Sequence, residues 1–348
     1  MSGSPSCRPM KMKRSKNKKS FTFGILIASA LAVIALIVTA VNWFLTMPFY
    51  EDTGSLNPSQ SAAQENIKKV AIIAADLSDP MAYTEAIELH GKFSLNTKIS
   101  ASLFDSRFSA EKQAAYIESC LDEGYNAMVV FPVQLDYIGK SLQKAAGSGV
   151  LCVLAGDEDY GEIYNAVYYD NGTAGELIGQ NLQASMRTDA TAAIVYDKRS
   201  LGKTKATDDA LAHTLQNLQR VRITGKLYSA EFEPNSLMKK IQELSPDTVI
   251  LCDESKSLNL AEMLKARGFS GSITVVSTDE KALTMLLSGD ISALVYKDIQ
   301  KLNSQIYNIV IRGIQGKPSG GRISLYPELL NVHNIKDYME QRYNQYSD

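Results

Sequence analysis

The sequence predicts an α/β protein of two lobes, each built on a parallel sheet, preceded by one N-terminal transmembrane helix. Three observations predict this. Short continuous apolar runs alternate with helix-length segments from Lys68 onward, the pattern of parallel strands buried on both faces. The runs fall in two series over about 280 residues, which suits two lobes better than one. A single long uncharged run stands ahead of them.

The N-terminus comes first. Arg8, Lys11, Lys13, Arg14, Lys16, Lys18 and Lys19 form a basic block with no acid among them, and residues 21–46 are uncharged and almost wholly apolar. About 20 apolar residues at a 1.5 Å rise cross a hydrocarbon core of roughly 30 Å. The basic block keeps residues 1–20 cytoplasmic and directs the rest of the chain outward. The run exceeds the roughly 7–15 apolar residues of a cleaved signal peptide. Ala40-Val41-Asn42 is also a poor cleavage site, so an uncleaved anchor is expected. Residues 47–66, rich in Ser, Asn and Gln and without apolar period, read as a flexible tether.

The first series of strands is VAIIAA (70–75), ISASLF (99–104), AMVVF (127–131) and VLCVLA (150–155). The helix at 109–122 opens on Ser109 as N-cap, carries Ala114, Ile117 and Leu121 on one face, and stops at Gly124. NAVYY (165–169) runs into Asp170-Asn171-Gly172-Thr173 and a helix bearing Ala174, Gly175 and Gly179. A strand ending on a polar turn at a helix start is where an α/β protein places ligand contacts. The small residues predict close packing of that helix on the sheet. The second series is AAIVY (192–196), RITGKLY (222–228), TVILC (248–252), SITVVS (272–277) and ISALVY (291–296).

Composition and motifs exclude several functions. With 45% hydrophobic and 21% charged residues the chain has an ordinary globular composition. Net charge is −2, and setting aside the seven basic residues of the tail leaves −9 on the rest, which argues against a nucleic-acid partner. Cys7 lies in the tail, while Cys120, Cys152 and Cys252 read as buried, unpaired thiols. His90, His213 and His333 have no metal-ligand spacing, and no Ser sits in a G-x-S-x-G turn. Leu201-Gly202-Lys203-Thr204 matches the end of a phosphate loop, but Asp197 occupies the required earlier glycine. No catalytic residue, metal or cofactor is expected.

One set of features, taken in order, resembles a known family. Asp105 after the second strand, Lys112-Gln113, Gly124-Tyr125-Asn126-Ala127 and Phe131-Pro132 are similar to the type I periplasmic sugar-binding proteins, the ribose- and galactose-binding family. Asp170, Asn171, Ala174 and Gly175 match its Asp-Asn-x-x-Ala-Gly turn, and Val332 to Ile335 its ending. The resemblance covers residues 68 to 336. It implies two Rossmann-like lobes joined by three hinge crossings, with ligand in the cleft between them. Lobe 1 then comprises 67–168 and 299–323, lobe 2 comprises 169–298 and 324–336, and 337–348 is a C-terminal tail. Tyr169, Asp298 and Ser324 fall at the crossings.

The same resemblance implies the ligand contacts. After the first strand the family has Asn-Pro and two aromatic residues. Here Asp79-Pro80-Met81-Ala82 lacks both rings, and Tyr83 is the nearest substitute. Asp157, followed by Glu158 and Asp159, stands after the fourth strand. Lys205 is nearest to the family's second-lobe Arg, Asp253 stands at its Asn-Asp, Asp279 at its Gly-Phe-Asp-Gly, and Lys297 replaces its hinge Gln. Asp170 and Asn171 complete the set, and one of the two is expected to cap the helix. Carboxylates suit a sugar because each can accept from two adjacent hydroxyls. The missing rings leave a polyol, another polar metabolite or a cationic solute open. The implied role is a membrane-anchored extracytoplasmic solute receptor. Three alternatives remain: delivery to an ABC permease, ligand sensing for a membrane sensor kinase, and a degenerate binding fold serving as an interaction module.

Overall fold

The computed structural model describes residues 67–156, 160, 165–185, 189–197, 201–216, 221–319 and 321–346. The tail, the expected anchor, the tether, and Asp157 with its two acidic neighbours lie outside these residues. Among the described residues no helix is long and apolar enough to cross a membrane.

Two six-stranded sheets form the framework. The strands of the first are β1 (Lys68–Ala74), β2 (Ile99–Asp105), β3 (Ala127–Val130), β4 (Leu151–Gly156), β5 (Asn165–Tyr169) and β11 (Arg322–Leu325). They lie in the order β11-β5-β4-β3-β1-β2, all parallel. The second sheet has β6 (Ala190–Tyr196), β7 (Val221–Tyr228), β8 (Thr248–Leu251), β9 (Ser272–Ser277), β10 (Ala293–Tyr296) and β12 (Glu328–Asn331). Its order is β12-β10-β9-β8-β6-β7, parallel except for β12, which runs antiparallel to β10.

The continuous apolar runs are explained by burial on both faces. Successive strand residues point to opposite faces. Val70, Ile72 and Ala74 of β1 therefore join one cluster, with Leu302 and Ile306, while Ala71 and Ile73 join another, with Ile117 and Leu142. The covering helices of lobe 1 are α1 (Pro80–Ser94), α2 (Ala110–Asp122) and α3 (Leu135–Gly147). Ser109 caps α2 as expected, its side chain accepting from Lys112 N at 3.2 Å, and Gly124 follows with φ 73°. Lobe 2 carries α4 (Asn171–Ser185), α5 (Leu201–Leu215), α6 (Pro234–Leu244), α7 (Ser257–Ala266) and α8 (Lys281–Ser288). Helix α9 (Ile299–Ile314) returns to pack on lobe 1 through Leu302, Ile306, Ile309 and Val310.

Two expectations are corrected. The glycines of α4 serve a helix neighbour rather than the sheet. A Cβ on Gly175 would stand 2.2 Å from Thr207 O, and one on Gly179 would stand 2.6 Å from the Thr214 side chain, both on α5. Ala174 and Ile178 face the sheet instead. The segment expected as a C-terminal tail is a helix, α10 (Ile335–Tyr346), whose Ile335 and Tyr338 enter the core of lobe 2.

The chain passes between the sheets three times: from β5 into α4, from β10 into α9, and from β11 to β12. Each crossing leaves the C-terminal end of a strand. Tyr169 fastens the first crossing to the second, its hydroxyl donating to the Asp298 carbonyl at 2.6 Å. Tyr168 accepts from Arg322 Nη2 at 3.0 Å, and Ser324 lies in register beside it on β11.

Candidate functional site

The crossings leave the C-terminal ends of strands, and the loops that follow those ends in the two lobes approach one another on either side of the cleft that the fold class places there. Across it, Thr278 after β9 places its Oγ1 3.7 Å from the sulfur of Met81 at the start of α1. In open parallel sheets this edge holds the ligand-binding loops.

Lobe 1 presents half-buried and exposed groups here. Asp79 is the N-cap of α1: its Oδ1 accepts from Met81 N at 3.0 Å and Ala82 N at 3.4 Å, and Pro80 at the first helical position has no N–H to satisfy. Met81 is half-buried and Tyr83 is 48% exposed. Farther along the rim, Phe108 and Tyr137 follow β2 and β3 and are each about half exposed. Arg107 and Phe108 both hold left-handed backbone, φ 50° and 55°, fixed by Ser106 N and Phe108 N donating to the carbonyls of Ala74 and Ala75.

Lobe 2 presents a different edge. Asp170 caps α4, its Oδ1 accepting from Thr173 N at 2.9 Å. Asn171 is buried, and its Oδ1 accepts from Lys297 Nζ at 2.9 Å. Lys297 also meets Glu254 Oε1 at 2.7 Å, with side-chain exposures of 0% and 7% for the two partners. The ring of Tyr169 lies under the same ammonium, 5.9 Å away. A charge removed from water must be paired, and Glu254 supplies the pair. Asp253 likewise has no accessible surface. Its carboxylate accepts from Ser229 Oγ and from Ser255 Oγ, the latter at 2.8 Å, and its carbonyl receives the first N–H groups of the α7 turn. Asp279 is exposed, with Oδ1 accepting from Lys281 N at 2.8 Å, and Lys205 is exposed on α5.

The structure therefore brings Asp79, Met81, Asp170, Asn171, Asp253, Asp279 and Lys297 to the cleft end of the two sheets. Asn171, Asp253 and Lys297 lie beneath the surface of lobe 2. Glu254, Ser229 and Arg342 complete the site and were not anticipated from sequence. Glu254 was signalled only by standing beside Asp253, where a buried Lys needs a carboxylate. Asp298, at the second crossing, caps α9 through Gln300 N at 3.0 Å and accepts from Tyr338 Oη at 3.2 Å and Arg342 Nε at 3.1 Å. A cavity of about 500 Å³ lined by Met238, Ile241, Leu264 and Phe269 lies at the N-terminal ends of β8 and β9, away from this cleft.

A family described as a periplasmic binding protein domain matches residues 70–318. No curated protein matches the chain. Among solved structures, the chain is similar to a Caulobacter myo-inositol binding protein bound to myo-inositol, at 16% identity and TM-score 0.65, covering 77% of this chain and 95% of that one. It is similar to an ABC transporter periplasmic solute binding protein from Actinobacillus succinogenes with bound D-allose, at 14% identity and TM-score 0.69, covering 78% and 100%. A Mycobacterium smegmatis ABC transporter solute binding protein with bound glycerol matches at 14% and 0.69, covering 78% and 96%. At these identities the likeness is one of fold.

Proposed function

This chain belongs to the periplasmic binding protein domain family, and from that premise we propose that it is an extracytoplasmic solute-binding protein. In this reading it is held at the membrane by its own N-terminal helix, closes on a small polar ligand, a sugar or polyol, and delivers it to an ABC importer. The observation that supports the reading is that carboxylates of both lobes, Asp79, Asp170 and Asp279, each stand after the C-terminal end of a strand, and that the loops of Asp79 and Asp279 approach one another, Thr278 lying 3.7 Å from Met81. A carboxylate offers about four acceptor sites, more than one helix cap uses. Adjacent hydroxyls are the groups it would receive. Ligand touching both lobes favours the closed form. We assign ligand contact to Asp79, Met81, Tyr83, Asp157, Asp170, Lys205 and Asp279, and assign Asn171, Asp253 and Lys297 to the floor that supports them. The structures of similar fold hold myo-inositol, D-allose and glycerol, all polyhydroxyl compounds, which supports that ligand class.

A thermal-shift screen of the full chain in detergent micelles tests the ligand class. Its panel is myo-inositol, D-allose, D-arabinose, glycerol and a set of organic amines. A polyol at about 100 times its Kd stabilises by about 2.7 kcal/mol, a rise in Tm of roughly 5–10 °C. A rise with the amines alone would overturn the polyol reading. The anchor is tested separately by N-terminal sequencing of the membrane fraction. Retention of the start, or loss of Met1 only, is expected, and a start near Asn42 would refute the anchor. A second reading, an interaction module on a binding fold, is favoured by one observation: Asp253 and Lys297 are already satisfied inside lobe 2. Silence across the panel would leave that reading standing.

A further inference from the structure

Helix α10 is polar over most of its surface, but Ile335, Tyr338 and Arg342, at spacings of three and four, turn inward. The Arg342 side chain is only 14% exposed. Its Nη2 lies 2.6 Å from Glu280 Oε1, which precedes α8 in lobe 2, and its Nε lies 3.1 Å from Asp298 Oδ2 at the second crossing. The guanidinium also sits over the Tyr296 ring at 5.9 Å. From lobe 1, Glu88 of α1 reaches the same crossing: it accepts at 2.9 Å from Nε2 of Gln300, whose N–H donates to Asp298. Burial raises the Glu88 pKa, the Glu280 and Asp298 carboxylates raise it further, and Arg342 and Lys92 oppose them. Two carboxylates, one from lobe 2 and one from a crossing, thus hold one guanidinium, and Glu88 of lobe 1 stands at the same crossing through its bond to Gln300.

We propose that Arg342 is a positioning residue for the cleft, holding Glu280 of lobe 2 and Asp298 of the crossing and offsetting their repulsion of Glu88, so that it sets how far the lobes stand apart without ligand. The proposal rests on the reading that the lobes open and close about a solute. Without the guanidinium, half-buried Glu88 is repelled by Glu280, which is exposed, and by Asp298, which is buried, where such repulsion is stronger than in water. Turning lobe 1 away from lobe 2 relieves it. Tyr338 and Asp298 keep α10 against the crossing, so the charge is delivered from a fixed support.

The test uses the full chain in detergent micelles, without ligand. Spin labels are placed on cysteines substituted at Glu111 and Glu233, with Cys7 changed to Ser. Both positions are exposed, and both follow the edge strands β2 and β7, opposite the crossings. Cys120, Cys152 and Cys252 are buried. Pulsed electron paramagnetic resonance then reads the distance between lobe edges. Arg342→Gln should lengthen the mean distance by more than about 2 Å, the scale of domain rearrangement. Adding Glu280→Gln to that variant should bring it back. An unchanged distance in Arg342→Gln with only a lower Tm would overturn the proposal and leave Arg342 as packing. If Arg342→Gln does not fold, Glu280→Gln alone decides. It leaves Arg342 to attract Glu88 and should shorten the distance, and no change would sink the idea. Since no ligand enters, failure of every polyol to bind would reject the binding reading without touching this result.

Discussion

The two edges of the cleft are built on different principles. The lobe 1 edge carries a half-buried capping carboxylate at Asp79 and rings at Tyr83, Phe108 and Tyr137 that are each about half exposed, above the buried Ser106 and Gln113. The lobe 2 edge places more of its polar groups under the surface and satisfies them there, while Asp170 and Asp279 reach the surface. Asn171, Ser229, Asp253, Glu254 and Lys297 are all buried. A polar network in low dielectric is rigid when complete and costly when broken. Lobe 2 is therefore the preorganised floor, and lobe 1 is the face whose side chains can adapt.

The largest effect should come from opening the floor's ion pair. Lys297→Met leaves Glu254 buried without its counter-charge and should cost about 3–5 kcal/mol in denaturant unfolding. Lys297→Met combined with Glu254→Leu should recover most of that loss, because an apolar pair of similar volume is often neutral. A single substitution costing under about 1 kcal/mol would mean that the pair is solvated and the contrast between lobes is lost.

Next comes Asp253→Ala, which takes the acceptor from the buried Ser229 hydroxyl and should cost about 1–3 kcal/mol. Its counterpart across the cleft, Asp79→Ala, removes a helix cap, worth about 0.5–2 kcal/mol. In the ligand-bound protein the ranking should invert, with Asp79→Ala losing more affinity than Asp253→Ala. Calorimetric titration with whichever polyol raises Tm checks it. Equal affinity losses would mean that both edges touch ligand alike.

The smallest effect belongs to Glu88. Its pKa is raised, so its charged form is disfavoured in the folded state and stability is lost as pH rises through the folded value. Glu88→Gln should therefore raise Tm at neutral pH, and the gain should vanish below about pH 4, where the unfolded carboxylate is itself protonated. A gain independent of pH would point to packing rather than charge.

Much of this architecture was legible beforehand, and the limits have physical causes. Parallel strands buried on both faces write themselves as apolar runs, so β1, β3, β8 and β9 were found within a residue or two. The cap at Ser109 and the polar turn at Asp170 followed from local chemistry. Burial depth did not. Asp253 and Asp279 both follow apolar strands, yet one has no accessible surface and the other is exposed. Part of the difference is long-range: Ser229 arrives from the end of β7 and donates to the Asp253 carboxylate. No short-range pattern reports that encounter. Helix α10 was missed because it has few apolar residues, and its inward face is marked only by Ile335, Tyr338 and Arg342.

The bond from the Tyr169 hydroxyl to the Asp298 carbonyl has a consequence for how the molecule moves. Three separate strands crossing between lobes would permit twisting and sliding as well as bending. Riveting the first crossing to the second leaves them to move as one axle, and relative motion is reduced toward a single angular coordinate. A ligand that closes such a joint has little configurational freedom left to quench, so more of its contact energy survives as affinity. Tyr169→Phe should loosen the axle, and a broader spread of lobe angles at an unchanged mean would be its signature.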